Sequence, residues 1–183
     1  MVSTVEFYRC RICGETYLGT QAPSRCPFCG VTAEYFVPTG DYPEDINFVS
    51  LSDVERVDLR KAIDLERSNA RFYRGMSLQR DDLKLASAYK RLSVIEAEHC
   101  SLFCKLAGID KPTDLTTPET VSDDWCDNIP ESLERELQAS TFYAEAAGRA
   151  SSTRIIEVLL AVSAVERDHI ALDGIAAEMA GCD

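Results

Sequence analysis

Basic side chains are in short supply in this chain. Its 183 residues hold 19 Lys and Arg against 31 Asp and Glu, a formal net charge of -12. Affinity for nucleic-acid phosphate comes mainly from Lys and Arg, so a nucleic-acid partner is argued against. Long apolar runs are missing as well, and none approaches the roughly 18 to 20 residues that cross a bilayer. The N-terminal Met1-Val2-Ser3-Thr4-Val5-Glu6 lacks a basic segment followed by an apolar one. A cytoplasmic protein without membrane contact is therefore expected. Histidine is scarce, with only His99 and His169 present. The 45% hydrophobic content is ordinary for a globular protein with a sizeable core.

Cysteine, by contrast, is plentiful, with eight in the chain. A secreted disulfide scaffold is one way to use so many. Here four of them form two CxxC pairs within the first thirty residues of an otherwise helical chain, a pattern that points to metal ligation.

Residues 5 to 38 are broken up by Gly14, Gly19, Pro23, Pro27, Gly30 and Pro38, so a small domain of short strands and turns is expected over 1–38. Residues 39–51 carry turn formers and read as a linker. A helical domain is expected over 52–183. Ser52 or Asp53 offers an N-cap, and Leu59, Ala62, Ile63, Ala70 and Tyr73 recur at helical spacing, predicting a first helix to about Gln79. A second helix follows Arg80-Asp81-Asp82 with Leu85, Tyr89, Leu92, Glu96, His99 and Phe103 inward, and it stops near Gly108. Pro112, Pro118 and the absence of period predict a long crossover over about 108–129. A third helix is expected from about Pro130, with Leu133, Glu136, Leu137, Ser140 and Tyr143 inward. A fourth, from Ser152, carries Ile155, Leu159, Val162, Glu166, His169 and Asp173. Two helical hairpins joined by one long connection give the topology of a ferritin-like bundle.

Thirty residues separate Glu66 from Glu96-x-x-His99, thirty separate Glu136 from Glu166-x-x-His169, and the second set lies seventy residues after the first. The register extends to Phe72/Phe142, Tyr73/Tyr143, Leu59/Ile129, Leu85/Ile155 and Leu102/Leu172, which is an internal repeat. Residues three apart share a helix face, so each ExxH offers a carboxylate and an imidazole to one point. Four carboxylates and two imidazoles suit a pair of Fe(II), Mn(II) or Zn(II) ions, and ferritin-like di-iron proteins use this ligand set. Glu96 and Glu166 are expected to bridge, Glu66 and Glu136 to be terminal, and His99 and His169 each to cap one metal. Surface glutamates with incidental histidines would be the alternative. The flanking residues are apolar, however, and carboxylates buried together without cations are costly. Tyr73 and Tyr143 are expected either to hydrogen-bond the ligand carboxylates or to be ordinary core aromatics.

Cys10-Arg11-Ile12-Cys13-Gly14 and Cys26-Pro27-Phe28-Cys29-Gly30 present four thiolates for one tetrahedral metal. A zinc ribbon has similar spacing. A neighbouring di-iron bundle favours iron, since a one-electron centre gives that site a source of reducing equivalents.

Both motifs on one chain resemble the rubrerythrin family. The stretch from Cys13 to Gly30 is similar to its rubredoxin-like module, and Glu66 to Tyr73 to its first bundle helix. The resemblance implies a non-haem di-iron peroxidase that reduces hydrogen peroxide to water. Its electrons would come through the thiolate-bound iron from an NAD(P)H-linked reductase or a small rubredoxin-like donor. It also implies a homodimer or larger homo-oligomer, in which one subunit's module serves another's bundle. Two departures stand out. The module is N-terminal, as in a reverse-order variant, and Ala139 occupies the place of an extra ligating Glu one turn after the third-helix Glu. The latter leaves a more symmetric site, nearer to bacterioferritin-like ligation.

Iron oxidation and handling by a ferritin-like protein is a second functional expectation, and electron transfer or redox sensing is a third. Cys100 and Cys104, one turn apart, suit a thiol pair, a metal access site or plain buried apolar residues. Trp125 reads as an anchor for the crossover, and Cys126 and Cys182 receive no role.

Overall fold

A computed structural model describes residues 5–182. It contains a three-stranded antiparallel sheet and four long helices, the mainly α architecture expected of a ferritin-like bundle with a rubredoxin-like module. Strand β1 (Glu6–Cys10) lies between β2 (Thr16–Gly19) and β3 (Phe36–Pro38), pairing Phe7 with Leu18 and Arg9 with Val37. The segment after β3 is held to the module rather than free. Tyr42 is buried there, with the Arg9 guanidinium 3.8 Å from its ring centroid.

Helix α1 (Asp53–Met76) opens on a full capping box, in which the Ser52 side chain accepts from Glu55 N–H and the Glu55 carboxylate accepts from Ser52 N–H. It ends three residues before Gln79, because the crossover packs against Gly75: a Cβ there would collide with the Glu119 carbonyl, and Glu119 N–H donates to Arg71 O. Helix α2 (Leu83–Ala107) is capped by Asp82 and closed by left-handed Gly108. Helix α3 (Trp125–Arg149) begins five residues earlier than the proline suggests. Asp124 supplies a side-chain cap to Cys126 N–H, and Trp125 stacks on Tyr89 while donating to Asp81, so Pro130 sits inside the helix and forgoes one early hydrogen bond. Helix α4 (Thr153–Ala180) starts at the expected Ser152 cap.

α1 pairs with α2 and α3 with α4, and the two hairpins close around a common interior. The seventy-residue repeat persists in three dimensions: Ser93 Oγ donates to Ala70 O at 2.8 Å, and Ser163 Oγ to Ser140 O at 2.9 Å. Two expectations fail, the inward placement of Leu137 and the equivalence of Leu172 with Leu102. Leu137 is 49% exposed, and Leu172 is 46% exposed where its counterpart Leu102 is fully buried. Leu102 belongs to the core cluster that includes the module's cysteines, whereas Leu172 lies along an open groove between α2 and α4. No helix among the described residues is long and apolar enough to cross a membrane.

Candidate metal centres

The two CxxC turns face one another. Gly14 N–H donates to Cys10 O and Gly30 N–H to Cys26 O, and both glycines hold a positive φ (85° and 81°). Cys10, Cys13, Cys26 and Cys29 are all buried, with Cys10 Sγ 3.8 Å from Cys29 Sγ and Cys13 Sγ 3.8 Å from Cys26 Sγ. A tetrahedral metal with bonds of about 2.3 Å places its sulfurs about 3.8 Å apart, so the four thiols fit one ion without rearrangement. The four cysteines cluster as a rubredoxin-like iron site.

Inside the bundle, α1 contributes Glu66, α2 Glu96 and His99, α3 Glu136, and α4 Glu166 and His169, all at 2% exposure or less. Their ligand atoms form two overlapping groups, Glu66–Glu96–His99–Glu166 and Glu96–Glu136–Glu166–His169, so Glu96 and Glu166 belong to both. His99 Nδ1 lies 3.2 Å from Glu166 Oε1, 3.6 Å from Glu96 Oε2 and 3.7 Å from Glu66 Oε1. His169 Nδ1 lies 3.0 Å from both Glu96 Oε1 and Glu166 Oε2, and 3.6 Å from Glu136 Oε2.

Burial and the neighbouring Glu96 and Glu166 charges push Glu66 and Glu136 well above the usual carboxylate range. Burial opposes charge on His99 and His169, but the surrounding carboxylates outweigh it and raise both. Glu66 Oε2, both Glu96 oxygens, His99 Nδ1, Glu136 Oε2 and Glu166 Oε1 are buried without hydrogen-bond partners. Orphaned donors converging on two points are costly unless cations complete them. The donor set therefore fits the buried di-iron centre that this carboxylate and imidazole group could hold.

Tyr73 and Tyr143 do reach carboxylates, but across the repeat. Tyr73 on α1 donates to Glu136 of α3, and Tyr143 on α3 donates to Glu66 of α1. Ala139 is fully buried, leaving no carboxylate at that turn.

The module docks on its own chain's bundle. Arg154, only 7% exposed, donates to the carbonyls of Arg11 (2.7 Å) and Ile12 (3.1 Å). Arg11 pairs with Glu157, Arg25 with Asp168, and Lys105 Nζ donates to Cys13 O at 3.1 Å. At the centre of this contact His99 Nε2 lies 2.9 Å from Cys29 O. Thus one imidazole touches the cysteine cluster with one nitrogen and the carboxylate cluster with the other. The expectation that one subunit's module serves another's bundle is not needed to join the two sites.

The contact is invisible to motif spacing, because His99 and Cys29 are seventy residues apart and belong to different motifs. Cys126 and Cys182, to which spacing assigns no role, form a disulfide between the start of α3 and the residues after α4. Cys100 and Cys104 are buried free thiols, and Cys100 Sγ reaches Ile63 O.

Fold and donor sets together define a ferritin-like four-helix bundle with a rubredoxin-like metal module ahead of it. Residues 8–37 match the family described as rubrerythrin, rubredoxin-like domain. Reverse rubrerythrin-1 of Clostridium acetobutylicum is 34% identical to this chain over 116 residues, covering 55% of this chain and 61% of that protein. The chain thus spans less than two thirds of that relative's length. No solved structure matches. The two matches and the cysteine cluster support the rubrerythrin family with reverse domain order, and with it a rubrerythrin-type iron protein.

Proposed function

We propose that the protein is a non-haem di-iron peroxidase that reduces hydrogen peroxide to water, with electrons relayed through the four-cysteine iron. The observation that carries this reading is the His99 Nε2 contact with Cys29 O, a single hydrogen bond between the ligand shells of the two sites. In this assignment Cys10, Cys13, Cys26 and Cys29 hold one iron. Glu96 and Glu166, which belong to both ligand groups, would be shared by a metal pair, with Glu66 and His99 completing the donors of one metal and Glu136 and His169 those of the other.

Bound there in its reduced state, a di-iron pair would supply the two electrons for H2O2 + 2e⁻ + 2H⁺ → 2H2O. Around it the chain's own residues set geometry. Tyr143 and Tyr73 fix Glu66 and Glu136 from the opposite helices, and the apolar packing of Phe103 on Tyr143 excludes water from that side. With both sites filled, Cys29 and His99 would offer electrons the path between them, fed by an NAD(P)H-linked reductase or a small rubredoxin-like protein. A homodimer or higher oligomer and a cytoplasmic setting belong to the same reading. The buried Ala139 favours a second reading, ferritin-like iron oxidation, because it removes the extra carboxylate expected of typical peroxidase members.

Anaerobic stopped-flow mixing of reduced, iron-loaded protein with stoichiometric hydrogen peroxide separates the two. Bleached ferrous thiolate should regain ferric absorption much faster with peroxide than with oxygen. Equal rates with oxygen, or a colourless zinc-filled cysteine site, would promote iron handling instead.

A further inference from the structure

The two halves of the bundle differ in what lies behind their tyrosines. Behind Tyr143 the neighbours are apolar. Behind Tyr73 there is a buried hydroxyl network: Ser132 Oγ lies 3.3 Å from Tyr73 Oη, 2.8 Å from Asp173 Oδ1 and 2.9 Å from Asp173 Oδ2, and Tyr89 Oη donates to Asp173 Oδ1 at 2.8 Å. Ser132, Asp173 and Tyr89 are each at most 1% exposed. Shifted by the seventy-residue repeat, these positions are Ala62, Phe103 and Leu159, all buried and apolar. The same packing problem is therefore solved without polar groups in the other half, and the fold does not require them.

Proton counting gives the network a direction. Tyr73 has one hydroxyl proton and commits it to Glu136. Ser132 has one as well. With Asp173 ionised, Ser132 donates to Asp173, and the Ser132–Tyr73 approach contains no hydrogen. With Asp173 protonated on Oδ2, since Tyr89 occupies Oδ1, the order reverses: Asp173 donates to Ser132, Ser132 to Tyr73, and Tyr73 to Glu136. The chain is then continuous. A concerted shift along it takes one proton from Asp173 and presents one at the Tyr73 end of the chain, beside the carboxylate cluster, with no change in electron count. Asp173 and Tyr89 also line the α2–α4 groove, a cleft of about 270 Å³ that Leu92 and Leu172 line as well, and in the relay Asp173 is reprotonated from this side.

We propose that Asp173, Ser132 and Tyr73 form a proton relay from the α2–α4 groove to the Glu136 side of the carboxylate cluster. This rests on the peroxidase reading, in which each turnover consumes two protons. Electrons and protons then reach the metal pair from opposite halves, by His99 and by Tyr73. Burial raises Asp173 to about 6, so its proton is available near neutral pH. The groups facing it are Tyr73 from α1, Tyr89 and Glu96 from α2, Ser132 from α3, and His169 on its own helix.

The test has two arms. In zinc-loaded protein, which has no redox chemistry, infrared spectra between about pH 8 and pH 5 should show the carbonyl stretch of a protonated carboxylic acid. That band should vanish in Asp173→Asn and shift in Ser132→Ala, which loses its acceptor. In reduced, iron-loaded protein, oxidation by stoichiometric peroxide should slow by about 10²-fold in Ser132→Ala, the typical worth of a positioned proton donor. Ser132→Thr, which keeps the hydroxyl, should recover most of it at unchanged iron content. The relay is overturned if Ser132→Ala stays within about threefold of wild type, or if no acid band belongs to Asp173. A wild type inert to peroxide but showing the band would instead sink the peroxidase reading, and the relay's role with it.

Discussion

Glu55 is the residue whose loss should be felt furthest from its own position. It closes the α1 capping box, and its carboxylate also accepts from Ser151 N–H at 2.9 Å and Ser152 N–H at 2.7 Å, tying the start of α1 to the α3–α4 turn. Burial alone would raise its pKa, but the N–H groups of Ser152, Ser52 and Ser151 and the Ser52 hydroxyl outweigh burial and lower it from 4.5 to about 2. That gap of about 2.5 pH units, at about 1.4 kcal/mol each, corresponds to about 3 kcal/mol. Because the folded value is depressed, the stabilisation is complete above pH 4.5 or so and fades as pH falls toward 2.

Glu55→Gln keeps the shape and removes the charge, so it should cost about 2–3 kcal/mol at pH 7 and lower the thermal midpoint by about 5–10 °C for a chain of this size. Guanidinium unfolding of wild type and variant side by side, from pH 7 to pH 3, measures the difference. Metal loss in acid is common to both and cancels. The difference should shrink steadily below about pH 5. A cost under about 1 kcal/mol at pH 7, or one that does not change with pH, would refute the assignment.

Gly30→Ala would force a side chain into a positive-φ position with its Cβ 2.8 Å from Val165 Cγ1, costing about 1–3 kcal/mol and lifting Cys29 from His99. Stopped-flow traces should show slowed oxidation of the thiolate iron with unaltered oxidation of the metal pair. Tyr143→Phe leaves a Glu66 oxygen without its donor and should weaken iron binding at the pair about 10- to 100-fold, read by competition with a chelator. Replacing Cys126 and Cys182 by serine opens a closed loop with a sequence separation of 56 and should cost up to about 4 kcal/mol on the chain-entropy account, measured by thermal unfolding, while leaving the ferric thiolate spectrum unchanged.

Much of the site is legible in the order of residues alone. Ligand spacing is a local matter: three residues place Glu96 beside His99 on one helix face, and two residues between cysteines make a turn, whatever lies elsewhere. The seventy-residue repeat similarly announces two equivalent hairpins. Helix limits are less legible, because competing caps decide them. Pro130 reads as a start, yet Asp124 and Trp125, with partners on α2 and in the turn before it, begin the helix earlier.

The sequence by itself therefore determined the donor set of each site, since ligand chemistry and helical periodicity are properties of the chain. Only the tertiary structure decided where the two sites touch. The module's seat against α2 and α4, the crossing of Tyr73 and Tyr143 between hairpins, and the Ser132–Asp173–Tyr89 network in one half alone all depend on side chains that meet from distant positions. Periodicity assigns a residue to a face, but packing chooses its neighbour. That choice is why two nearly symmetric halves came to differ: one was covered by the cysteine module, and the other left a groove open to water.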